Sequence, residues 1–219
     1  MPWQRRAIRR STYEARGNEI ARAFFGNDGQ PIGIDYGLHR WAAIYDDRGN
    51  TLEKMGFGID GKPIAGSDGS HRTVVSYDDK NNLLSSSYFG VNGEAILWNK
   101  QYHHEEYTYD EYDREVTHAF FGTSREPING PDDYHKTESQ FDESGHLLLV
   151  TLSGPDGKQP EKLGIRSVKF TYYQNSNQVE TKSYLDDKNQ VRQELKYDEE
   201  GNEIKSQPSH SLSTVRPRP

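Results

Sequence analysis

A short segment that starts with an aromatic residue and continues with turn-forming residues recurs along the chain. "YEARGN" begins at Tyr13, "YDDRGN" at Tyr45 and "YDDKNN" at Tyr77, with 32 residues between starts. The later starts are Tyr109, Phe141 and Tyr173, and Tyr197 follows after only 24 residues. Because a fixed period of 20–50 residues is the signature of repeat architectures, this spacing predicts a tandem array.

Further columns keep the same 32-residue period, and we interpret them as structural. A phenylalanine stands 12 residues after the start, a glycine follows it, and a histidine lies 26 residues after the start. The members are Phe25, Phe57, Phe89 and Phe121; Gly26, Gly58, Gly90 and Gly122; and His39, His71, His103 and His135. The stacked copies are expected to bury their aromatic columns against each other.

The sequence pattern of each unit is typical of two antiparallel strands. "HRTVVSY" (71–77) is rich in β-branched residues and alternates in polarity, and the following "DDKNN" favours a turn. The fold class is therefore all-β, with tandem antiparallel β-hairpin repeats that form an elongated, twisted sheet or a solenoid-like array. The 24-residue unit is expected to lose a long connection and to keep both strands, 179–185 and 191–197, with 186–190 as the turn.

Three segments are predicted from these patterns. Residues 1–12 are a basic segment with part of a first strand, 13–204 are the array, and 205–219 are a tail or linker. The array starts and stops inside a unit, which suggests a longer array or missing neighbours. Outside the two ends, 21 basic and 34 acidic side chains give a net charge of −13, which argues against a nucleic-acid partner.

Composition narrows the class of protein further. Only 32% of the residues are hydrophobic, yet 14 Tyr, 8 Phe and 3 Trp are spread along the chain, which favours a thin core rich in aromatics over disorder. There is no cysteine, and "WAAIY" (41–45) is the longest apolar run, so neither thiolate chemistry nor a membrane span is expected. The N-terminal residues do not form a secretory signal.

The "YDxxGN" corner and the downstream "GxDGxP" turn resemble the tandem YD-type repeats of bacterial proteins, including the RHS class. The resemblance covers residues 13–204. It implies antiparallel β-ribbons in secreted or cell-surface proteins, often beside a toxin domain, and it implies a scaffold or interaction role. The 32-residue spacing and the histidine column depart from the usual RHS pattern.

Two groups of side chains are candidates for chemistry. The histidine column could bind metal or sense pH, or each histidine could bond a backbone carbonyl of its loop; we favour the second. Residues 102–118 are dense in His, Glu and Asp but lack the HExxH pattern, so a solvated strand face is the favoured interpretation. No catalytic, cofactor-binding or metal-binding residue is assigned.

The function predicted from these observations is a non-catalytic scaffold or interaction module whose partner is another protein or neighbouring repeats. A carbohydrate-binding module that uses the surplus tyrosines with Trp41 and Trp98 is the alternative, which would make a glycan the ligand. A metal-binding protein or enzyme that uses residues 102–118 is the second alternative. No cofactor is expected.

Overall fold

The computed structural model describes residues 7–204, and the predicted tail at 205–219 lies outside them. Thirteen strands follow one another along the chain, and the described part contains a single turn of 3-10 helix, Asp35–Gly37. The strands are β1 (Ile8–Tyr13), β2 (Glu19–Phe25), β3 (Arg40–Tyr45), β4 (Thr51–Phe57), β5 (Arg72–Tyr77), β6 (Leu83–Phe89), β7 (His104–Tyr109), β8 (Glu115–Phe121), β9 (Lys136–Phe141), β10 (Leu147–Ser153), β11 (Ser167–Tyr172), β12 (Val179–Leu185) and β13 (Val191–Lys196).

The strand order in the sheet is the order in the sequence, and each strand is hydrogen-bonded to its neighbours in the chain. This open antiparallel sheet confirms the all-β prediction. The described residues divide into two compact units. The first contains the residues up to Glu106 together with Phe121–Glu126, and the second contains Tyr107–Phe120 and the residues from Pro127 onward.

The recurring corner makes the tight hairpins. The Asp46 N–H donates to the Asn50 carbonyl oxygen (3.0 Å), and Asp46 Oδ1 accepts from the N–H groups of Arg48 and Asn50. Gly49 has a φ of +89°, which a glycine adopts at little cost. Carboxylates that bond their own turn in this way form Asx turns, which is why aspartate recurs here.

The long connections fold back on the strand that they leave. After β4, the Gly58 N–H donates to the Lys62 carbonyl, and Phe57 forms an isolated bridge with Pro63. The Ile64 N–H then donates to the Gly56 carbonyl at 3.1 Å. The connection therefore pairs with the end of strand β4 before the chain enters the next strand.

Side chains alternate between the two faces of the sheet along each strand. We name these faces in the first of the two compact units. The covered face carries Phe24, Trp41, Gly56 and Tyr88, and loop residues pack on it: a Cβ added to Gly56 would lie 3.0 Å from Leu38 Cδ1. The open face carries Arg10, Ala23, Arg40, Phe57 and Phe89, whose cross-strand pairing places them on the other side.

The core does not consist of the repeating phenylalanines, which corrects the expectation that their column is buried. Phe25, Phe57, Phe89 and Phe121 are half-buried. The buried aromatics stand one residue earlier, with exposed fractions of 6% for Phe24, 9% for Tyr88 and 4% for Phe120. A shift of one residue changes the face of a strand, so the strictly repeating residue and the buried residue lie on opposite sides of the sheet.

The sixth corner lies one residue before the position that the 32-residue spacing assigns to Tyr173. Strand β11 ends at Tyr172. The Tyr172 hydroxyl donates to the Leu147 carbonyl (3.0 Å), just as the hydroxyl of the corner residue Tyr45 donates to the Glu19 carbonyl (3.0 Å). The connection before it is one residue shorter. The turn after it is one residue longer, because the Tyr173 N–H reaches the Gln178 carbonyl.

The short unit keeps both of its strands, although the second ends at Lys196 and not at the predicted residue 197. Strands β12 and β13 pair antiparallel, with Leu185 opposite Val191. Between them the Asp186 N–H donates to the Gln190 carbonyl (3.0 Å), so a five-residue turn replaces the long connection. No helix in residues 7–204 is long and apolar enough to cross a lipid bilayer.

Candidate functional site

Every histidine of the repeating column donates from Nδ1 to a backbone carbonyl oxygen of its long connection or of the strand before that connection. His39 donates to Ile32 (3.2 Å), and His71 donates to Gly56 (2.7 Å). His103 lies within reach of the Tyr88 (2.8 Å) and Ile96 (3.3 Å) carbonyls, and His135 of the corresponding Phe120 (2.7 Å) and Ile128 (3.3 Å) carbonyls. The column therefore ties each loop to the strand beneath it.

The same histidines contact the phenylalanine column edge to face. The ring centroids are 5.4 Å apart for Phe25 and His39, 5.4 Å for Phe57 and His71, and 5.3 Å for Phe89 and His103. A guanidinium group covers each phenylalanine ring: the Cζ atoms of Arg10, Arg40 and Arg72 lie 4.2, 4.4 and 4.8 Å from the ring centroids. An arginine, a phenylalanine and a histidine thus form one stacked set in each of three successive units.

In the fourth set a histidine takes the place of the arginine. The His104 side chain is 3% exposed, lies against Phe121, and has Ser87 Oγ at 2.7 Å from Nδ1 and Glu106 Oε1 at 2.9 Å from Nε2. Arg125 donates to the same Glu106 oxygen (2.8 Å). Burial lowers the pKa of His104 despite the glutamate, because the charged imidazolium loses its hydration there.

The fifth set contains a residue that the sequence reasoning missed. Arg166 Nη1 donates to the Leu152 carbonyl (2.9 Å), which corresponds to the Phe120 carbonyl that His135 meets. The backbone N–H of Arg166 also donates to the Leu185 carbonyl, just as the backbone N–H of His135 donates to the Ser153 carbonyl. Arg166 is 31 residues after His135 because the connection lost one residue, so a strict 32-residue count passes over it.

The corner turns are joined to each other by side chains. Arg16 donates to Asp47 Oδ1 (3.0 Å), Arg48 donates to the Asp78 carbonyl (2.5 Å), and Asn50 donates to Asn81 Oδ1 (2.7 Å). In the second compact unit, the His146 ring bridges two turns. Its Nδ1 lies 2.8 Å from Asp142 Oδ2, and its Nε2 lies 2.8 Å from Asn177 Oδ1. The hydrogen bond to Asp142 raises the pKa of His146, since the carboxylate favours the protonated ring.

Residues 102–118 do not form one convergent site. Glu105 is buried and accepts from the Tyr88 hydroxyl at 3.2 Å, and burial together with this carboxylate raises the pKa of Tyr88 to about 12. His118 instead stacks on Tyr107 at a centroid distance of 4.2 Å. In the part of the chain that the structure describes, no group of three or more His, Cys, Asp or Glu side chains could hold a metal ion.

The two described tryptophans are engaged within the chain. Trp98 stacks on Tyr88 with the centroids 5.3 Å apart, and its Nε1 donates to Asp68 Oδ2 (2.9 Å). Trp41 is half-buried and lies beneath Arg22 and Lys54, with the Arg22 Cζ 5.5 Å and the Lys54 Nζ 5.4 Å from its centroid. Among residues 7–204, the exposed tyrosine side chains are at other places, namely Tyr13 (59%), Tyr36 (71%) and Tyr112 (69%).

Comparison with known proteins gives structural likenesses alone. No family model and no curated protein matches the chain. The crystal structure of TcdB2-TccC3-TEV aligns with a TM-score of 0.45 and 12% identity, over 87% of this chain and 10% of that chain. The structure of the Photorhabdus luminescens Tc holotoxin pore aligns with a TM-score of 0.44 and 12% identity, over 90% of this chain and 11% of that chain. This chain therefore spans about a tenth of the length of those chains.

Proposed function

We propose that this chain is a non-catalytic β-repeat scaffold that presents part of its surface to another protein. The observation that carries the proposal is the use of the repeating side chains. The histidines bond backbone carbonyls of their own unit, and the corner aspartates bond their own turns. Residues that recur in this way maintain the array, which leaves the side chains that differ between units to contact a partner.

The resemblance of the corner and the Asp-Gly turn to bacterial YD-type and RHS repeats supports the same role. That resemblance implies a bacterial, secreted or cell-surface protein. The repeats then serve as a rigid support, and binding residues are placed on the sheet face and on the long connections. In repeat proteins, insertions within units map to loops on one face, which is often the binding face.

The environment of the tryptophans favours a scaffold over a carbohydrate-binding module. A sugar stacks on a ring that is open to solvent, whereas Trp98 is covered by Tyr88 and Trp41 by two cations. A sugar could stack on either tryptophan only after these contacts are broken. Tyr13, Tyr36 and Tyr112 occupy different positions in their units, so they form no repeating platform.

A pair of photo-crosslinkers on one strand tests the proposal. Thr12 and Ser11 are adjacent and exposed on β1, but Thr12 lies on the open face and Ser11 on the covered face. With benzoylphenylalanine at each position, we expect residue 12 to crosslink to a defined protein of the producing organism. That protein, once purified, should form a complex of fixed stoichiometry with the unlabelled chain.

The contrary result is also well defined. Saturable binding of an oligosaccharide that Trp41→Ala or Trp98→Ala abolishes, with no protein complex, would replace the scaffold by a carbohydrate-binding module. Titration of tryptophan fluorescence with a panel of soluble oligosaccharides measures this directly.

A further inference from the structure

Two arginines of the open face stand in one straight row across three strands of the first unit. Arg10 on β1 lies opposite Ala23 on β2, and Ala23 lies opposite Arg40 on β3. Neighbouring strands are about 4.7–4.9 Å apart, so the Cα atoms of the two arginines are separated by roughly 9.5 Å. The row therefore anchors two arginine side chains at a Cα spacing that the sheet itself fixes.

Both guanidinium groups are held in place without being neutralised. Arg10 and Arg40 stack on Phe25 and Phe57, at 4.2 and 4.4 Å from the ring centroids. Neither forms an ion pair with a residue between 7 and 204, whereas the next arginine along, Arg72, is paired with Glu53 at 2.5 Å. A stacked guanidinium keeps its N–H edge available for bidentate binding of a carboxylate.

The surface between the two arginines is small and apolar. Ala23 separates them, and Ala21 and Ala42 pair beside it on the same face. Ile8 borders the row and is 43% exposed. Because the alanine side chains are short, an extended apolar backbone could lie across the strands and reach both cations.

The spacing matches one type of backbone better than others. A polyproline II helix has three residues per turn and rises about 3.1 Å per residue, so residues i and i+3 lie on one side about 9.3 Å apart. Extended β-peptides place i and i+3 on opposite sides. A nucleic-acid strand carries one charge per about 3.4 Å of axis, and a chain of net charge −7 would repel its surplus phosphates.

We propose that the Arg10–Ala23–Arg40 row binds an acidic polyproline II segment of a partner protein, with carboxylates at positions i and i+3. This inference rests on the proposed scaffold function and specifies the partner. The sheet twist, about 20–25° per strand, turns later arginines away from the row, and Arg72 already has a carboxylate. Two arginines therefore define the site.

Peptides of equal composition and different spacing test the proposal. Fluorescein-labelled (Glu-Pro-Pro)4 has glutamates at i and i+3, whereas two copies of Glu-Glu-Pro-Pro-Pro-Pro have the same composition but no pair of glutamates at i and i+3. We expect fluorescence anisotropy to show binding of the first peptide about tenfold or more tighter than the second. Binding should weaken as salt increases, because exposed charges are screened.

Variants of the chain separate the site from general charge. Arg10→Gln and Arg40→Gln should each weaken binding of (Glu-Pro-Pro)4 by about tenfold. Arg9→Gln is the matched control, since Arg9 is adjacent, is also exposed and lies opposite Phe24 on the covered face. It should leave the affinity within about twofold of the parent. Arg40→Lys keeps the charge but loses the planar fork, so it should also weaken binding. Circular dichroism melts verify that each variant is folded.

Three results would overturn the proposal: no binding of (Glu-Pro-Pro)4, equal binding of both peptides, or equal effects of Arg9→Gln and Arg10→Gln. A fourth separates it from the proposed function. If the protein that crosslinks at residue 12 binds the Arg10→Gln, Arg40→Gln double variant as tightly as the parent, the scaffold function holds and the acidic-segment site does not exist.

Discussion

At the scale of single residues, the histidine column is the feature whose role changes most between sequence and structure. Removing His103 would leave the Tyr88 and Ile96 carbonyls without their side-chain donor in a buried place. The Tyr88 carbonyl keeps its bond from the Ile96 N–H (3.2 Å), so we expect His103→Ala to lower the free energy of unfolding by about 1–2 kcal/mol, from one side-chain hydrogen bond and the lost ring contact with Phe89. Urea denaturation measures this loss. His103→Asn supplies an N–H near Nδ1 and should recover part of it, and a His103→Ala value within about 0.5 kcal/mol of the parent would exclude the role.

Two histidines outside the column should titrate in opposite directions from the ordinary value of about 6.5. The pKa of His146 is raised by Asp142, so its stabilising contribution is complete below about pH 6.5 and is lost as pH rises through the folded-state pKa. The pKa of His104 is lowered by burial, so its penalty grows as pH falls below about 6.5.

Titration of the ring signals by NMR measures both shifts. Asp142→Asn should bring the pKa of His146 down and leave that of His104 unchanged. A pKa of His146 at or below that of His104 in the parent chain would contradict the assigned contacts.

At the scale of the element, strand β8 offers a test of which face forms the core. Phe120 is 4% exposed on the covered face, and its neighbour Phe121 is half-buried on the open face. We expect Phe120→Ala to destabilise the protein by about 3–5 kcal/mol and Phe121→Ala by about 1–2 kcal/mol, since the second ring has less surface to lose. Urea midpoints of the two variants give the comparison. Equal losses, or a larger loss for Phe121, would mean that the repeating column is the core after all.

The strands and their turns could be predicted from the sequence because local chemistry determines them. The Asx corner, the Asp-Gly turn and the alternating segment at 71–77 each act within a few residues. The sequence did not reveal which face is covered, because Phe120 and Phe121 are equally apolar and only the packing of the connection distinguishes them.

The candidate site depended on contacts that the sequence could not supply. Arg166 escaped detection because one deleted residue shifts its column. The stacking of Arg10 on Phe25 and of Arg40 on Phe57 requires the cross-strand register, which links residues 15 and 17 positions apart. An alignment of the repeats that allows a one-residue gap before Tyr172 would have found Arg166. No alignment of the repeats would have found the arginine row.

At the scale of the whole molecule, the described chain is strand and turn with a single turn of 3-10 helix. Far-UV circular dichroism should therefore show β-structure and almost no helix. A helical fraction above roughly a quarter, close to that of an average globular protein, would be incompatible with thirteen strands in sequential order.

The central claim is that the units repeat as one backbone hydrogen-bond pattern, closed by a histidine and, in the fifth unit, by an arginine. Hydrogen exchange followed by NMR tests it most directly. The N–H groups of His71, His103, His135 and Arg166 donate across to the next strand, at 2.9, 2.9, 2.8 and 2.7 Å. We predict that all four exchange about a hundredfold or more slower than the exposed corner residues Asp47 and Asp79. Fast exchange at Arg166 with protection at the three histidines would contradict the fifth unit, and fast exchange at all four would contradict the repeat itself.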